Sequence, residues 1–405
     1  MKVLIVGAGV SGVAAAVALK AAGHDVTVFE RADSLRASGN GVLVWPNGTG
    51  ILRELGVRLP ELGSRIDEAD VLAFDGTPLM KMDLAGATEK FGAPTIGVLR
   101  GHIIEQLAAL LPARTVEFAK RCTGIRPGRP GAATGVTVTF DDGTSADGDI
   151  LIGADGYRSV VRHKLFGDVA RHTGLASWYG LAKMPSGLRS EHVVPTYYDK
   201  LRLCTMHPVG DGMVHWAVEV PWPDEELDRQ GKPTAWLDLP QPPDRPARLR
   251  EWFGDWAGPV AELMASLPDE DINVYPHVMH QVRRPWGRGP VTLAGDAAHA
   301  VPPRVGWGVN QALEDSWMLG RVLSQPGEPT SLLRRYEQAR YTRARRVRRL
   351  ATIARRTNRP LMLLHRLPQA VRGDGIVSKT LISNIDNCSN YVHPPAGRAR
   401  TETVT

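Results

Sequence analysis

A glycine-rich segment near the start of the chain, Gly7-Ala8-Gly9-Val10-Ser11-Gly12, constrains the possible folds more than any other feature of the sequence. It follows an apolar run at residues 2–6, which predicts a buried strand, and it opens a predicted helix at residues 10–22. Residues 26–30 predict a second strand, and a strand–helix–strand unit implies a parallel sheet with a right-handed crossover. The glycines allow a tight turn, close approach of the backbone to a pyrophosphate, and close packing of helix on strand.

Glu30 strengthens the interpretation of this segment as a nucleotide site. It ends the second predicted strand, roughly 20 residues after the glycines, where a carboxylate holds a ribose hydroxyl in dinucleotide-binding folds. The start of the predicted helix also offers free N–H groups to phosphates. The alternative is a plain glycine turn followed by a solvent-exposed Glu. The spacing favours a dinucleotide and leaves FAD and NAD both open. No second GxGxxG in the sequence indicates a separate nicotinamide domain.

Composition places the chain among globular proteins and excludes several other classes. Of its 405 residues, 43% are hydrophobic and 23% are charged, which excludes wholesale disorder, collagen-like repeats and a disulfide scaffold. The formal net charge of +6 is modest for this length and suits an anionic cofactor or substrate. Nucleic-acid binding is not expected, because no basic face with an aromatic or helical reader is evident.

Cysteine content and hydropathy predict a cytoplasmic protein without membrane insertion. Cys122, Cys204 and Cys388 are far apart and form no CxxC pair, which is typical of free thiols in a reducing compartment. No apolar run reaches the ~20 residues that a membrane span needs. The apolar start resembles a secretory signal, but glycines interrupt it and a strand pattern resumes at residues 26–29. Metal-ligand spacings such as HExxH are missing from the sequence, so no metal is predicted.

The middle of the chain changes character and predicts a second unit. Residues 136–152 predict a hairpin that leads back into the parallel sheet. From about 171 to 285, Trp, Tyr, Pro and His become frequent and short alternating runs appear. This pattern predicts a mostly antiparallel sheet that holds the substrate. Residues 309–323 then predict a helix with one apolar face.

An arginine-rich helix is predicted at residues 331–359, and its charges admit two interpretations. The arginines at 345, 346, 348 and 349 could contact phosphate or nucleic acid, or they could form a solvated outer face. The second interpretation is favoured. In it, the residues that point inward are Tyr336, Val347, Leu350 and Ile353. The tail from about residue 393 is rich in Pro, Gly, Arg and Thr and is expected to be frayed.

A second segment that could carry chemistry spans residues 295–310. A predicted strand delivers Asp296, a proline-stiffened loop follows, and a helix opens near Val309. Asp296 could hold a polyol chain, and the helix N-terminus could stabilise negative charge on a ring system. On composition alone, a capped loop explains the segment better.

A third segment spans residues 149–162 and also follows a predicted strand. Asp155-Gly156 could simply be a turn that ends the strand. Ser159 could be a helix cap and Arg162 a surface charge.

Together, the three segments resemble one family, the single-component FAD-dependent monooxygenases of the para-hydroxybenzoate hydroxylase type (class A aromatic hydroxylases). They occur in the family's order and at its usual distances over about residues 1–325. The resemblance implies an α/β fold with a GxGxxG dinucleotide-binding FAD domain, a mixed or antiparallel β-sheet substrate domain, and C-terminal helices. The implied FAD-binding domain comprises 1–70, 98–170 and 286–325, the substrate domain 71–97 and 171–285, and the C-terminal helical segment with its frayed tail 326–405.

The resemblance also assigns cofactor contacts. The glycine segment meets the ADP part of FAD, residues 155–162 lie near the pyrophosphate and are implicated in nicotinamide use, and residues 296–310 meet the ribityl chain and the flavin ring. Further matches are Gly39–Val42, Trp45–Asn47 and Val98–Arg100. The implied cofactor-binding residues are Gly7, Gly9, Val10, Ser11, Gly12, Glu30, Arg31, Arg100, Asp155, Asp296, Pro303, Gly306, Gly308, Val309 and Asn310.

One position departs from the family pattern. The family often has Gln between the two glycines at 306 and 308, where this chain has Trp307. A large indole at this position either walls the substrate pocket or restricts movement of the flavin ring. The usual side-chain contact with the flavin is not expected here.

The resemblance implies a reaction. NADH or NADPH reduces FAD, O2 adds to give a flavin C4a-hydroperoxide, and its distal oxygen passes to an aromatic small molecule, with polycyclic compounds among the candidates. The same cofactor chemistry could instead serve epoxidation, Baeyer–Villiger oxidation, or desaturation or reduction of a secondary metabolite. A non-catalytic flavin- or ligand-binding protein is a third hypothesis, which the intact motifs disfavour.

The catalytic residues are the least determined part of the sequence analysis. An electron-rich phenol reacts faster when it is deprotonated, so a base or cation near the substrate would help. The candidates lie in the predicted strands of the substrate domain and are Tyr197, Arg202, His207 and His215. Each could equally be a satisfied structural residue. His299 is expected to serve the architecture of its loop rather than to carry a proton.

Overall fold

The computed structural model describes residues 1–35, 40–127, 135–221, 244–268, 272–354 and 358–365. The strands are β1 Lys2–Val6, β2 Asp25–Phe29, β3 Gly41–Val44, β4 Ser64–Ile66, β5 Glu68–Ala73, β6 Pro78–Asp83, β7 Thr95–Leu99, β8 Val116–Glu117, β9 Cys122–Pro127, β10 Val136–Phe140, β11 Ser145–Gly148, β12 Ile150–Gly153, β13 Arg171–Lys183, β14 Val193–Tyr198, β15 Leu203–Gly210, β16 Met213–Pro221, β17 Asn273–Met279 and β18 Val291–Leu293. The helices are α1 Val10–Ala21, α2 Pro46–Glu54, α3 Ala85–Phe91, α4 Arg100–Ala108, α5 Val160–Phe166, α6 Arg245–Phe253, α7 Gly258–Ser266, α8 Asp296–His299, α9 Gly308–Leu323, α10 Pro329–Ala354 and α11 Asn358–Leu364. Gly39, Cys388 and the tail expected to be frayed lie outside the described residues.

The first structural unit is built on a parallel sheet with the strand order β18-β12-β1-β2-β8. Helices cover the sheet, so Val3, Leu4 and Ile5 in β1 have no solvent exposure. The predicted strand–helix–strand unit is confirmed, since β1 and β2 pair in parallel on either side of α1. The predicted hairpin is also confirmed: β10 and β11 pair antiparallel, and the chain then returns to the parallel sheet as β12.

The second unit is a mixed sheet with the order β17-β13-β16-β15-β14-β5-β6. Its strand pairs are antiparallel except for β14 with β5, which are parallel. The mostly antiparallel region predicted at about 171–285 is therefore confirmed. The strands β5 and β6, from earlier in the chain, extend the same sheet.

The two faces of the mixed sheet meet different parts of the molecule, because side chains alternate between faces along each strand. The rear face is covered by α6 and α7 through a buried cluster that includes Trp178, Tyr197, Cys204, Met206 and Trp216. The front face carries Tyr179, Thr205, His207, His215 and Glu219. It meets the small sheet β3-β7-β4 so closely that a Cβ added at Gly41 would lie 2.2 Å from the Cβ of His215. The front face is thus turned toward the nucleotide unit.

The strand pairing refines where the chain passes between the two units. Strand β5 begins at Glu68, so a boundary at residue 70 falls inside a strand of the mixed sheet. Strand β7, Thr95–Leu99, pairs with β3 and β4 instead of joining the mixed sheet. The division into domains stays a proposal, and we propose to place these two boundaries after residues 67 and 94.

Helix α10 carries two kinds of arginine. The predicted solvated face is confirmed at Arg345, Arg346, Arg348 and Arg349. Two others, Arg340 and Arg343, are buried and pair with acidic residues of α9. Tyr336 and Val347 point inward and Leu350 is half-buried, but the prediction for Ile353 was wrong, since this residue is 53% exposed. It lies two positions after the buried Ala351 and therefore on the opposite side of the helix. In the described part of the chain, no helix combines the length and the apolar character needed to cross a membrane.

Candidate functional site

The glycine segment folds as the sequence predicts, with a separate role for each glycine. Gly7 has φ +104°, and a Cβ there would lie 2.5 Å from the carbonyl oxygen of Ala154. A Cβ on Gly12 would lie 1.8 Å from the carbonyl oxygen of Gly7. At Gly9, just before the buried Val10 that starts α1, a Cβ would meet nothing within 4 Å. Gly7 and Gly12 therefore serve the turn and the packing, and Gly9 leaves open ground where a phosphate can approach the helix N-terminus.

Glu30 and Ser11 provide polar groups in the same segment of the fold. The Glu30 carboxylate accepts hydrogen bonds from the N–H groups of Ala8 at 2.8 Å and Ala32 at 3.0 Å, which hold it against the glycine turn. Each carboxylate oxygen retains a lone pair for a ligand hydroxyl. The Ser11 hydroxyl is buried and has no hydrogen-bond partner among the described residues. Arg31 is exposed, so a contact of its side chain with a cofactor stays a prediction.

Asp155 is bound within its own loop. Its carboxylate accepts hydrogen bonds from the Ser159 hydroxyl, from the Val160 N–H at 2.7 Å and from the Val161 N–H at 3.2 Å. Ser159 is the N-cap of α5, as one of the two interpretations expected. These bonds fix the loop between β12 and α5. A direct contact of Asp155 with the cofactor stays a prediction.

Arg162 corrects the interpretation of this residue as a surface charge, because its side chain is fully buried. The guanidinium donates hydrogen bonds to the carbonyl oxygens of Ala297 at 3.0 Å and Ala298 at 2.9 Å. It also pairs with Asp168 at 2.8 Å. Arg162 therefore ties the 149–162 segment to the 295–310 segment.

Replacing Arg162 with Met is expected to lower both the unfolding temperature and the affinity for FAD. The carbonyl groups of Ala297 and Ala298 would lose their donor, and a buried unsatisfied polar group costs about 1–3 kcal/mol. Thermal unfolding and FAD titration measure the two effects. Lys164→Met, on the exposed side of the same helix, is the matched control. Indistinguishable behaviour of the two variants would contradict the role assigned to Arg162.

Asp296 begins α8 at the end of β18, beside buried polar groups. The preceding residue, Gly295, has φ +58° and donates its N–H to the Asp315 carboxylate at 2.7 Å. The Nε2 atom of His299 lies 2.7 Å from the same carboxylate, which supports the architectural role expected for this histidine. Burial raises the pKa of Asp296, against the opposing effects of His299 and Arg100. The contact of Asp296 with a polyol chain stays a prediction.

The loop from Pro303 to Asn310 is held by the side chain of Asn310. The loop turns at Gly306, which has φ +63° and donates its N–H to the Pro303 carbonyl at 2.8 Å. The buried Asn310 amide accepts from the Trp45 N–H at 2.9 Å and donates to the Gly306 carbonyl at 2.9 Å. Asn310 therefore positions the loop through its side chain. A Cβ at Gly308 would meet nothing within 4 Å, so the start of α9 is as open as the start of α1.

Trp307 is buried in a stack of side chains. Its ring stacks on that of Trp45 with centroids 5.9 Å apart, and the Arg343 guanidinium lies 5.2 Å from its ring centroid. Trp45 is fixed in turn by a hydrogen bond from its Nε1 to the Gly306 carbonyl at 3.1 Å. Contacts from α10 and from the residue before α2 therefore hold the indole in place. Its two interpretations, as a wall of the substrate pocket or as a restraint on the flavin ring, stay predictions.

Arg304 joins the same loop to the front face of the mixed sheet. Its guanidinium pairs with Glu219 of β16 and donates to the Asn358 side-chain oxygen at 2.6 Å. The Glu219 carboxylate also lies 3.4 Å from Nδ1 of His277, and Nε2 of His277 lies 2.6 Å from the Ser177 hydroxyl. The positive charge of Arg304 is thus neutralised within a buried network.

Three tyrosines that the sequence analysis missed form a group, and two of them, Tyr157 and Tyr275, lie near Asp296. Tyr157 and Tyr275 meet edge to face with centroids 5.6 Å apart, and Tyr179 belongs to the same electrostatic group. Burial raises the pKa of Tyr157, and that of Tyr275 well above its usual value, so both hydroxyls are protonated at neutral pH. Arg100 lies within electrostatic reach of Tyr275 and Asp296, and its buried Nε has no hydrogen-bond partner among the described residues. The available signal was the position of Tyr157 inside the 149–162 segment.

The two candidate histidines lie side by side on the front face. The rings of His207 and His215 have centroids 5.8 Å apart, and the His215 ring lies 5.9 Å from that of Tyr179. Nε2 of His207 is 3.0 Å from the Thr205 hydroxyl. Burial lowers the pKa of His207 to about 4 and that of His215 to about 3, so both rings are neutral at pH 7. Their Nδ1 atoms are buried, and neither has a hydrogen-bond partner in the described part of the chain.

The other two candidates, Tyr197 and Arg202, lie away from the histidines. Tyr197 belongs to the rear-face cluster, where burial raises its pKa to about 12. Arg202 pairs with Asp199 at 2.8 Å and donates to the Trp252 carbonyl at 2.6 Å. Side chains alternate between the two faces along a strand, and this alternation places Tyr197 in β14, and Arg202 just before β15, on the rear face of the mixed sheet. We therefore propose neither Tyr197 nor Arg202 as a catalytic residue.

The three cofactor segments and the front face together suit an elongated ligand with phosphates and a polyol chain. Helices α1 and α9 pack against each other, and no side chain caps the N-terminus of either. A Cβ added at Gly9 or Gly308 would meet nothing within 4 Å, so a ligand has space at the start of each helix. The Ser11 hydroxyl oxygen and the Arg100 Nε are buried without a partner among the described residues and can each bind a ligand. No group of His, Cys, Asp and Glu within the described ranges could hold a metal ion. Fold and site define a dinucleotide-binding α/β protein with a second unit built on a mixed sheet.

The comparison with known proteins identifies the family. The family model described as FAD binding domain matches residues 1–351, and the chain belongs to this family of FAD-dependent monooxygenases of the para-hydroxybenzoate hydroxylase type. It is 34% identical to a 3-amino-4-hydroxybenzoate 2-monooxygenase of Streptomyces cremeus, over 87% of this chain and 87% of that protein. It is 32% identical to the FAD-dependent urate hydroxylase of Klebsiella pneumoniae, over 85% of this chain and 87% of that protein. The solved structure of Klebsiella pneumoniae HpxO with FAD and uric acid is 28% identical, with a TM-score of 0.82 over 98% of this chain and 97% of that one. The enzyme class, the fold and the FAD cofactor implied by the resemblance are thereby confirmed.

Proposed function

We propose that the enzyme uses bound FAD, NADH or NADPH, and O2 to hydroxylate a small aromatic molecule, by the oxygen-transfer route that the family resemblance implies. The observation that supports this most directly is the lining of the front face. Tyr179, His207 and His215 offer aromatic rings and hydrogen-bonding nitrogens on the side of the sheet that is turned toward the nucleotide unit. Aromatic faces and edges are well suited to hold a flat ring.

FAD, when bound, supplies the electron transfer and the activation of O2. The role of the chain is to bind and orient it. In the proposal, Glu30 holds the ribose hydroxyls and the N–H groups at the start of α1 hold the pyrophosphate. The N–H groups at the start of α9, at Gly308, Val309 and Asn310, stabilise negative charge on the ring.

The chain must also exclude water from the site, because oxygen transfer competes with loss of the activated oxygen as H2O2. The buried stack of Trp45, Trp307 and Arg343 is proposed to close one side of the site and to hold the 303–310 loop in place. A cytoplasmic location is also part of the proposal, supported by the buried free thiols of Cys122 and Cys204.

The test uses the FAD-loaded enzyme and a panel of aromatic compounds. NADH and NADPH oxidation is followed with and without each compound under 18O2, and the products are identified by mass spectrometry. The expected result is oxidation stimulated by a substrate, with a product that carries one labelled hydroxyl on its ring. Insertion of oxygen into a ring bond, addition across an alkene, or label derived from water would overturn the proposal.

A further inference from the structure

The centre of the front face forms a compact surface, which we call the front wall. It consists of Tyr179, Ala217 and Thr205, aligned across β13, β16 and β15, together with the neighbouring His207 and His215. The ring centroid of His215 lies 5.9 Å from that of Tyr179 and 5.8 Å from that of His207. The wall is therefore largely aromatic, with the rings tilted by 41° and 37° against each other, and it carries a small side chain at Ala217.

Two buried nitrogen atoms of the front wall are available to form hydrogen bonds with a ligand. The Nδ1 atoms of His207 and His215 have no partner within the described residues, although His207 is oriented by the Thr205 hydroxyl at 3.0 Å through its Nε2. Buried polar atoms in folded proteins are nearly always paired, and an unpaired one is costly. The His215 side chain packs closely against Gly41, where an added Cβ would lie 2.2 Å from the His215 Cβ.

The front wall carries no net charge at neutral pH. Burial keeps both histidines neutral, and the remaining members are Tyr, Thr and Ala. Two arginines of this part of the molecule already pair with carboxylates. Arg304 pairs with Glu219, and Arg202 pairs with Asp199 on the other face of the sheet. Arg100 lies beside Asp296, in the group assigned to the cofactor. Lys183, an exposed residue that alternation places on the front face, lies at the end of β13, beyond Leu181. Among the described residues, the front wall itself contains no cation that could pair with a carboxylate on the substrate.

We propose that the front wall selects an uncharged, flat aromatic or heteroaromatic substrate whose hydroxyl, amide or ring N–H group hydrogen-bonds to His207 and His215, and that it discriminates against aromatic carboxylates. The inference rests on the proposed function, because it concerns the substrate of the same site. Its physical basis is desolvation: a neutral ring replaces water at the imidazoles, whereas a carboxylate loses its hydration and gains no counter-charge. His207 and His215 are thus specificity-determining residues.

A relative that is named for an aromatic carboxylate suggests a matched pair of test compounds. The Streptomyces cremeus protein is named for 3-amino-4-hydroxybenzoate, whose carboxylate is ionised at neutral pH. The corresponding amide, 3-amino-4-hydroxybenzamide, has nearly the same shape and no charge. This pair of compounds therefore changes charge with little change in size, and 2-naphthol with 2-naphthoate provides a second, larger comparison of neutral and ionised rings.

The experiment measures binding of both pairs to the FAD-loaded enzyme through the change in the visible flavin spectrum. In the wild type, each neutral compound is expected to bind about tenfold or more tightly than its carboxylate partner. His207→Arg is expected to reverse this preference by placing a cation on the wall. His207→Leu is expected to weaken binding of the amide, which still binds more tightly than the carboxylate. Tyr197→Phe, on the rear face, is the control and is expected to keep the selectivity of the wild type.

Equal or tighter binding of the carboxylates by the wild type, or binding of neither member of either pair, overturns the inference. The comparison on the wild type stands even if His207→Arg fails to fold, and FAD content reports the folding of each variant. Binding and turnover separate this inference from the proposed function. Selective binding of the neutral compounds without an oxygenated product would reject the function and keep the selectivity, whereas efficient hydroxylation of carboxylates would reject the selectivity and keep the function.

Discussion

Gly12→Ala is expected to abolish FAD binding and to reduce the yield of folded protein. The new Cβ would lie 1.8 Å from the Gly7 carbonyl oxygen, a backbone atom that cannot move without opening the turn. Either the turn that approaches the pyrophosphate or the start of α1 must shift, and both carry the phosphate site. The measurement is the FAD content of the purified variant, followed by FAD titration, with circular dichroism to report the fold.

Two other glycine variants separate the clash within the chain from the loss of space for the ligand. Gly258→Ala, at the start of α7 in the substrate unit, is the control, because a Cβ there meets nothing within 4 Å. Gly9→Ala is expected to fold normally and to bind FAD more weakly, since the space at Gly9 is open in the chain and is assigned to the pyrophosphate. Full FAD content in Gly12→Ala, or wild-type affinity in Gly9→Ala, would be inconsistent with these roles.

Arg340→Met is expected to destabilise the protein by about 3–5 kcal/mol, because removing one partner of a buried ion pair leaves the other charge uncompensated. The Arg340 guanidinium donates to Glu314 and, at 2.6 Å, to Asp315, and all three side chains are fully buried. Burial alone would raise the pKa of Asp315, but His299 and Arg340 lower it to about 2. After the change, Asp315 keeps His299 as a partner and loses the guanidinium, which is one of the two groups that favour its ionised form. The measurement is the midpoint and slope of urea unfolding.

Matched variants on the same helix show whether burial or charge number causes the effect. Arg346→Met removes the same charge from the exposed face of α10 and is expected to change stability little. Arg340→Lys keeps the charge but loses the planar donor pair, so an intermediate loss is expected. A loss in Arg340→Met no greater than that in Arg346→Met would show that the buried network contributes nothing to stability.

Local spacing made the nucleotide unit predictable. The strand expected at 2–6 and the helix expected at 10–22 correspond to Lys2–Val6 and Val10–Ala21. Apolar periodicity and turn chemistry are properties of a few neighbouring residues, so they can be recognised without the fold. The same reasoning located the helix at 309–323, which the structure has at Gly308–Leu323.

Burial of charged residues was not predictable, because it depends on partners that are distant in sequence. In the sequence, Arg340 and Arg343 look the same as Arg345 and Arg346. Only the packing of α10 against α9, which brings Glu314 next to them, distinguishes the buried arginines from the exposed ones. The burial of Arg162 was not predictable for the same reason, since one carbonyl that it binds lies 135 residues further along the chain.

The faces of the mixed sheet were only half predictable. Alternation indicates that Tyr197 and its neighbour Thr196 point to opposite faces, but it does not tell which face meets the nucleotide unit. That choice depends on α6 and α7, which cover the face with Tyr197 and leave the other to His207 and His215. For this reason the sequence offered four equal catalytic candidates, and two of them lie on the front wall.

We propose that three separate segments of this chain bind one FAD molecule, and FAD titration of the purified protein measures that binding. The protein is freed of flavin, shown by circular dichroism to be folded, and titrated with FAD while the visible flavin spectrum and flavin fluorescence are recorded. We expect saturable binding of one FAD per chain, which is lost in Gly12→Ala and weakened in Arg162→Met. A folded wild-type protein that leaves the spectrum of added FAD unchanged would contradict it.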